Sequence, residues 1–183
     1  GGDGGESTAR YLYRVTPGDT HAEVDGFPEA TGGTGGDAHA SLTGNVAGHG
    51  GAAMVETIGT FERDTSRSSS PSAFAYGGQG GSIYEDAGTP ETASGIGGDG
   101  GSATAFNTLT SLVDSTTQNL TVFANARGGH GGTGLRGADG KGGDASAEAI
   151  VVSGSNWGAI SLAVGGMGSS SGNALSISSG TGK

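Results

Sequence analysis

The stretch GGHGGTGLRGADGKGG, residues 128–143, decides how the whole chain is read. Every third residue in it is glycine: Gly128, Gly131, Gly134, Gly137, Gly140 and Gly143. Three residues is the repeat of the polyproline II helix, which makes no internal hydrogen bonds. Its backbone N–H and C=O groups must find partners on neighbouring segments. A glycine edge lets a neighbour approach closely enough to supply them. The spacing therefore predicts glycine-lined extended helices packed side by side, with an unbroken run over 128–143.

The motif recurs along the chain. GGDGG occupies 1–5, GGTGG 32–36, GHGG 48–51, GGQGG 77–81, GGDGG 97–101, GGHGG 128–132, GKGG 140–143 and GGMG 165–168. The intervals are irregular, so this is a degenerate repeat rather than a solenoid code of fixed length. Between the motifs, apolar and polar residues alternate with period two, the mark of half-buried strands. In ESTARYLYRV, residues 6–15, Ala9, Tyr11, Tyr13 and Val15 share one face. In DASAEAIVV, residues 144–152, the face is Ala145, Ala147, Ala149 and Val151. AAMVETIGTF (52–61), SATAFNTLTSLV (102–113) and DAHASLT (37–43, with Ala38, Ala40 and Leu42 aligned) also follow glycine motifs. PSAFAY (71–76), NLTVFANAR (119–127) and WGAISLAV (157–164) lead into them, and NALSIS (173–178) repeats the pattern near the end. Residues 16–31 and 62–72, rich in Pro, Ser and charge, read as loops. No apolar stripe of helical period is present. The expected fold is all-β: layered sheet, solenoid- or sandwich-like, combined with polyglycine II helices in one domain, 1–183, with essentially no α-helix.

Composition agrees. The chain has 183 residues, with 42 glycines, 4 prolines and no cysteine. So little proline excludes a collagen triple helix. Ordering each glycine costs roughly 0.5–1 kcal/mol relative to alanine, so a disordered chain is the competing reading. The regular spacing of the glycines between strand-like segments argues against disorder. A formal charge of −10 disfavours nucleic acid and anionic membranes as partners. No apolar run is long enough to span a bilayer as a helix. The opening GGDGGEST is not a signal peptide, which leaves a cytosolic protein, a mature form or a fragment.

Chemistry-bearing patterns are sparse. Gly32 to Ala40, GGTGGDAHA, matches the glycines and aspartate of calcium-binding β-roll repeats, but His39 stands where a large apolar residue is expected. Asp37 is thus a candidate calcium ligand, and Asp139 and Asp144, flanking a glycine turn, are two more. The bland alternative is that these acids are solvated. His21, His39, His49 and His130 are dispersed and form no zinc pattern. No P-loop, dinucleotide fingerprint or nucleophile elbow is present. Trp157, Tyr11 and Tyr13 read as packing residues or as sugar or partner anchors, and Asn119-Leu120-Thr121 is a glycosylation sequon. No catalytic residue can be named, and an enzyme is the least favoured class.

On GGDGGSATAFNTLT and GKGGDASAEAIVV, the chain resembles glycine-rich extracellular repeat proteins of bacterial cell surfaces. Its glycine motifs are also similar to those of polyglycine II phage tail-fibre adhesins, and more distantly to glycine-rich antifreeze proteins. The first resemblance implies a non-enzymatic subunit of an extracellular filament or surface layer, whose main partner is itself. The second implies an adhesin that binds a cell-surface glycan or protein through loops 16–31 and 62–72, and the third implies ice binding. No cofactor is expected beyond calcium. Strand 6–15 is the candidate edge or exchanged element.

Overall fold

The computed structural model describes residues 1–19, 24–40, 44–62, 69–113, 119–154 and 156–182. Within them lie thirteen strands and no α-helix: β1 (Ser7–Val15), β2 (Glu29–Thr31), β3 (Ala38–His39), β4 (Asn45–Val46), β5 (Ala53–Phe61), β6 (Ser72–Tyr76), β7 (Ile83–Tyr84), β8 (Gly95–Ile96), β9 (Ala103–Ser111), β10 (Asn119–Arg127), β11 (Ala145–Val152), β12 (Asn156–Val164) and β13 (Ala174–Thr181). Two parallel sheets dominate. The first has the order β1-β5-β9-β11-β13 and the second β12-β10-β6-β2. The chain alternates between them, so a strand of the first sheet and its neighbour in the second make one rung of a stack, and the first sheet exceeds the second by one strand. Register is constant across the first sheet: Ser7 pairs with Ala53, Ala53 with Ala103, Ala103 with Ala145 and Ala145 with Ala174.

Each long strand except β13 is continuous with a glycine helix at one end. The helices 1–5, 48–51, 97–101 and 140–143 lead into strands of the first sheet, and 32–36, 77–81, 128–132 and 165–168 follow strands of the second. The two sets run in opposite directions and interleave. Gly33 and Gly36 donate to Gly5 and Gly2 at 2.8 and 2.7 Å, and Gly51 and Gly48 donate to Gly33 and Gly36 at 2.8 and 2.9 Å. Gly78 and Gly81 then donate to Gly51 and Gly48, both at 2.9 Å, and the pattern repeats to the end of the stack. Bonds within a set run sideways, as from Gly50 to the carbonyl of Asp99 and from Gly100 to that of Lys141, each 2.8 Å. The interhelical backbone bonding that a polyproline II conformation requires is thus supplied.

The two sheets enclose a core graded in size. Nearest the glycine helices it is alanine: Ala53, Ala103 and Ala145 from one sheet, Ala75 and Ala126 from the other. At the far ends of the strands it is Phe61, Leu109, Val151, Leu120 and Val122, all fully buried. Methyl groups let the sheets start close together where they leave the tight helical bundle. Larger side chains then hold them apart, towards the roughly 10 Å of ordinary sheet packing. Asn107 bridges the sheets: its amide donates to the carbonyls of Pro71 (2.7 Å) and Phe123 (2.9 Å). A smaller cluster of Ala40, Ala47, Ile83 and Ala93 closes the turns at the glycine end, with the short pairs β3–β7 and β4–β8.

Three expectations need correction. The run 128–143 is not one helix. It folds back on itself, so that Gly140 donates to Gly132 and Gly143 to Gly129, both at 2.8 Å. The reversal passes through Leu135, whose amide and carbonyl bond to Gly95, and Arg136, at φ 49°. Leu135 packs on the small apolar cluster, and burying it outweighs continuing the period-three column. Within 16–31, read as loop, Glu29–Thr31 is an edge strand with Ala30 buried, and Ser72, at the end of the second expected loop, begins β6. The strand expected over 37–43 is cut to Ala38–His39, and residues 41–43 and most of 62–72 lie outside the described residues.

Candidate functional site

The third residue of each GGxGG unit points away from the bundle, and its own amide faces sideways with no backbone partner in line. At His49, Asp99, Lys141 and Met167 a side chain from the preceding helix fills that place. Asp3 Oδ1 accepts from the His49 amide (2.8 Å), His49 Nδ1 from the Asp99 amide (3.0 Å), and Asp99 Oδ1 from the Lys141 amide (2.7 Å). On the other layer His130 Nδ1 accepts from the Met167 amide at 2.9 Å. A second row follows the motifs, with Asp37 Oδ1 on the Ser82 amide (2.8 Å) and Ser82 Oγ on the Thr133 amide (3.1 Å). Short polar acceptors at these places therefore stitch the helices together. The sequence carries the signal, since Asp or His recurs at the third position, as Asp3, His49, Asp99 and His130.

The calcium candidates are separated by this arrangement. Asp37 serves Ser82, Asp139 Oδ1 serves the Gly134 amide (2.8 Å), and Asp144 Oδ1 serves the amide (2.7 Å) and side chain (3.1 Å) of Asn173. Among the described residues no three His, Asp or Glu side chains come together to hold a metal. His39 pairs with Asp86 at 3.0 Å, and His21 lies outside the described residues. An open cleft of about 570 Å³ crosses the junction of helices and first sheet, lined by Glu6, Asp99, Ser102, Lys141, Asp144 and Asn173. It has no aromatic wall on which a sugar could stack.

The aromatic candidates are packing residues at the two ends of the stack. Tyr13 stands edge-on to Phe61, with ring centroids 6.0 Å apart, and covers Gly59. Tyr11 lies beside Tyr13 and over Gly26, and Trp157 covers Gly180 at the opposite end. The Tyr13 hydroxyl is buried without a partner, and its pKa is raised by that burial and then by neighbouring Tyr11.

The ends themselves are open. At one, β1 and β2 are the edge strands of the two sheets; at the other, β13 and β12. Fold and surface together define a two-layer parallel stack of strands and polyglycine II helices, with an unpaired edge at each end. No protein-family model matches the chain, and no curated protein matches it. Among solved structures the chain is similar to the nine-helix polyproline type II bundle of an antifreeze protein from the springtail Granisotoma rainieri. Identity is 20% over 100% of this chain and 95% of that one, with a TM-score of 0.26, too low to carry an argument.

Proposed function

We propose that this protein is a non-enzymatic structural subunit of an extracellular filament or surface layer, assembling through its edge strands and glycine helices. The observation that carries the reading is the pair of open edges. A parallel strand with an unpaired side offers a row of N–H and C=O groups that another strand can extend. Here each end of the stack offers two such strands together with glycine helices of the same architecture. Among the described residues, the side chains of the clefts and the histidines supply no constellation for catalysis. Ice binding draws no support from the outer faces, because a column such as Thr8, Met54, Thr104, Ser146 and Leu175 mixes residue types where a flat, regular array is needed.

Negative-stain electron microscopy of the purified protein, with and without calcium, tests the reading. Uniform filaments or sheets are the expected result. Discrete particles across protein concentrations and salt conditions would overturn it. Filaments that form only with calcium would return Asp37, Asp139 and Asp144 to the list of residues to mutate.

A further inference from the structure

Charge is distributed unevenly along the stack. The chain carries 26 Asp, Glu, Lys and Arg residues, yet the 34 residues 149–182 contain none of them and no histidine. That stretch supplies the whole last rung: β12, the glycine helix 165–168 and β13. Among the described residues, half of the exposed large apolar side chains lie there, including Trp157, Ile160, Leu162 and Val164 on β12 and Leu175 and Ile177 on β13. Neither strand contains a proline. Natural edge strands are usually protected by charge, proline or a bulge, and this end has none of these. The first rung differs. β1 carries Arg10 and Arg14 on its outer face, where they pair with Glu56 and Glu62 and leave the strand edge itself unobstructed.

We infer that the uncharged last rung of one copy docks on the first rung of a second copy, head to tail and in parallel register, so that β13 pairs with β1. This rests on the filament reading and specifies its contact. The carbonyl of Asn173 faces β11, and residues of a parallel strand alternate sides. The amides of Ala174, Ser176 and Ser178 therefore face outward. On β1 the amide of Ser7 faces β5, so Thr8, Arg10, Leu12 and Arg14 present the outward groups. Continuing the constant register sets Ala174 beside Ser7, Ser178 beside Tyr11 and Gly180 beside Tyr13. The inward side chains of β13 are Ala, Ser, Ser and Gly; Trp157 already lies over Gly180, so Tyr13 of the next copy would pack against that indole. The helices follow the same rule: the amide after Ser170 reaches the Asp3 carbonyl of the next copy, as Gly142 reaches Ser170 within one copy. A two-fold, tail-to-tail dimer would instead run the edge strands antiparallel, and about an axis perpendicular to the sheets it would also set glycine helices against strand ends.

Proline at an outward-facing amide blocks docking without removing a backbone bond inside the copy; Ser178→Pro gives up only the exposed hydroxyl contact with Ser161. Ser178→Pro should close the last rung and Leu12→Pro the first. Sedimentation velocity is the readout, with circular dichroism and thermal unfolding confirming that both variants keep the fold. Each variant alone should be monomeric. An equimolar mixture should give a 1:1 heterodimer and nothing larger, because docking uses the one open head and the one open tail and leaves both outer ends closed. Leu12→Pro dimerising alone would establish a tail-to-tail contact and overturn the proposal. Wild-type filaments joined by unimpaired polymerisation of both variants would overturn it while leaving the filament reading intact. A wild-type chain that never assembles would remove both.

Discussion

Adding one methyl group in the middle of the glycine bundle should undo it. Gly129 is buried in the helix 128–132 and faces the carbonyl of Gly78 in the neighbouring helix of the same layer. A Cβ built there would sit 2.6 Å from that carbonyl carbon and closer still to its oxygen, whereas ordinary contact begins at 3.4 Å. The two helices must therefore part by at least 0.8 Å, the difference between these two distances. They are joined by bonds from Gly77 to Arg127 and from Gly80 to His130, both 2.8 Å. Parting them stretches each to about 3.6 Å, beyond hydrogen-bonding range. Losing buried backbone bonds without replacement costs about 1–3 kcal/mol each, so Gly129→Ala should lose about 2–6 kcal/mol. Domains are typically stable by only about 5–15 kcal/mol. Gly5→Ala is the control, since nothing lies within 4 Å of its added carbon. There the loss of unfolded-state freedom should stabilise by about 0.4–1 kcal/mol. Denaturant unfolding followed by circular dichroism measures both. A Gly129→Ala protein within about 1 kcal/mol of wild type would refute close helix packing as the basis of the fold.

Asp99→Ala should cost about 0.5–1.5 kcal/mol by stranding the Lys141 amide, whereas Asp99→Asn keeps an acceptor oxygen and should stay within a few tenths; equal losses in denaturant unfolding would mean that charge matters and the bond does not. Asn107→Ala should cost about 2–5 kcal/mol, because it strands the carbonyls of Pro71 and Phe123 between the sheets; a neutral result would show that water reaches that place. For Tyr13, whose folded pKa is raised, the contribution to stability is complete below the ordinary tyrosine value of about 10 and is lost as pH climbs from there towards the folded value. Tyr13→Phe should flatten that alkaline loss. It should also stabilise at neutral pH by about 1 kcal/mol, since it removes a buried hydroxyl without a partner. Lower stability of the Phe variant in thermal melts at pH 8 would contradict this.

The long strands were legible because their inner faces follow a simple period. Ala145, Ala147, Ala149 and Val151 alternate in the sequence and are all buried. The glycine helices were legible for a similar reason, since only glycine tolerates their contacts. Strand order was not legible. Alternation looks the same in parallel and antiparallel sheets, and parallel pairing usually requires a helical crossover. Here the return path is made of glycine helices and a strand of the opposite sheet, and no local pattern announces it. The strand at Glu29–Thr31 was hidden because it is three residues long, follows Pro28 and buries only Ala30. The aspartates were misleading for a physical reason. A carboxylate that accepts an amide and one that binds calcium have the same composition and neighbouring glycines, and only the position of the next helix distinguishes them.

The stack has one spacing, and two kinds of structure must share it. Neighbouring strands in a sheet lie about 4.7–4.9 Å apart. Four of the five strands of the first sheet are covalently continuous with a glycine helix, so helices in one layer are drawn to the strand repeat. Helices with side chains on their contacting edges could not come that close, and for this reason the glycines face one another while the third residue faces out. The same constraint explains the alanines where helix gives way to strand, and it makes the two halves interdependent. A methyl inserted among the helices should splay the sheets above it, and a bulge in a strand should pull a helix out of bonding range. Constant register from Ser7 to Ala174, with no slip at any step, is what this coupling requires. It also makes the repeat open-ended. Nothing in the spacing distinguishes the junction between β11 and β13 from one between β13 and the first strand of another copy.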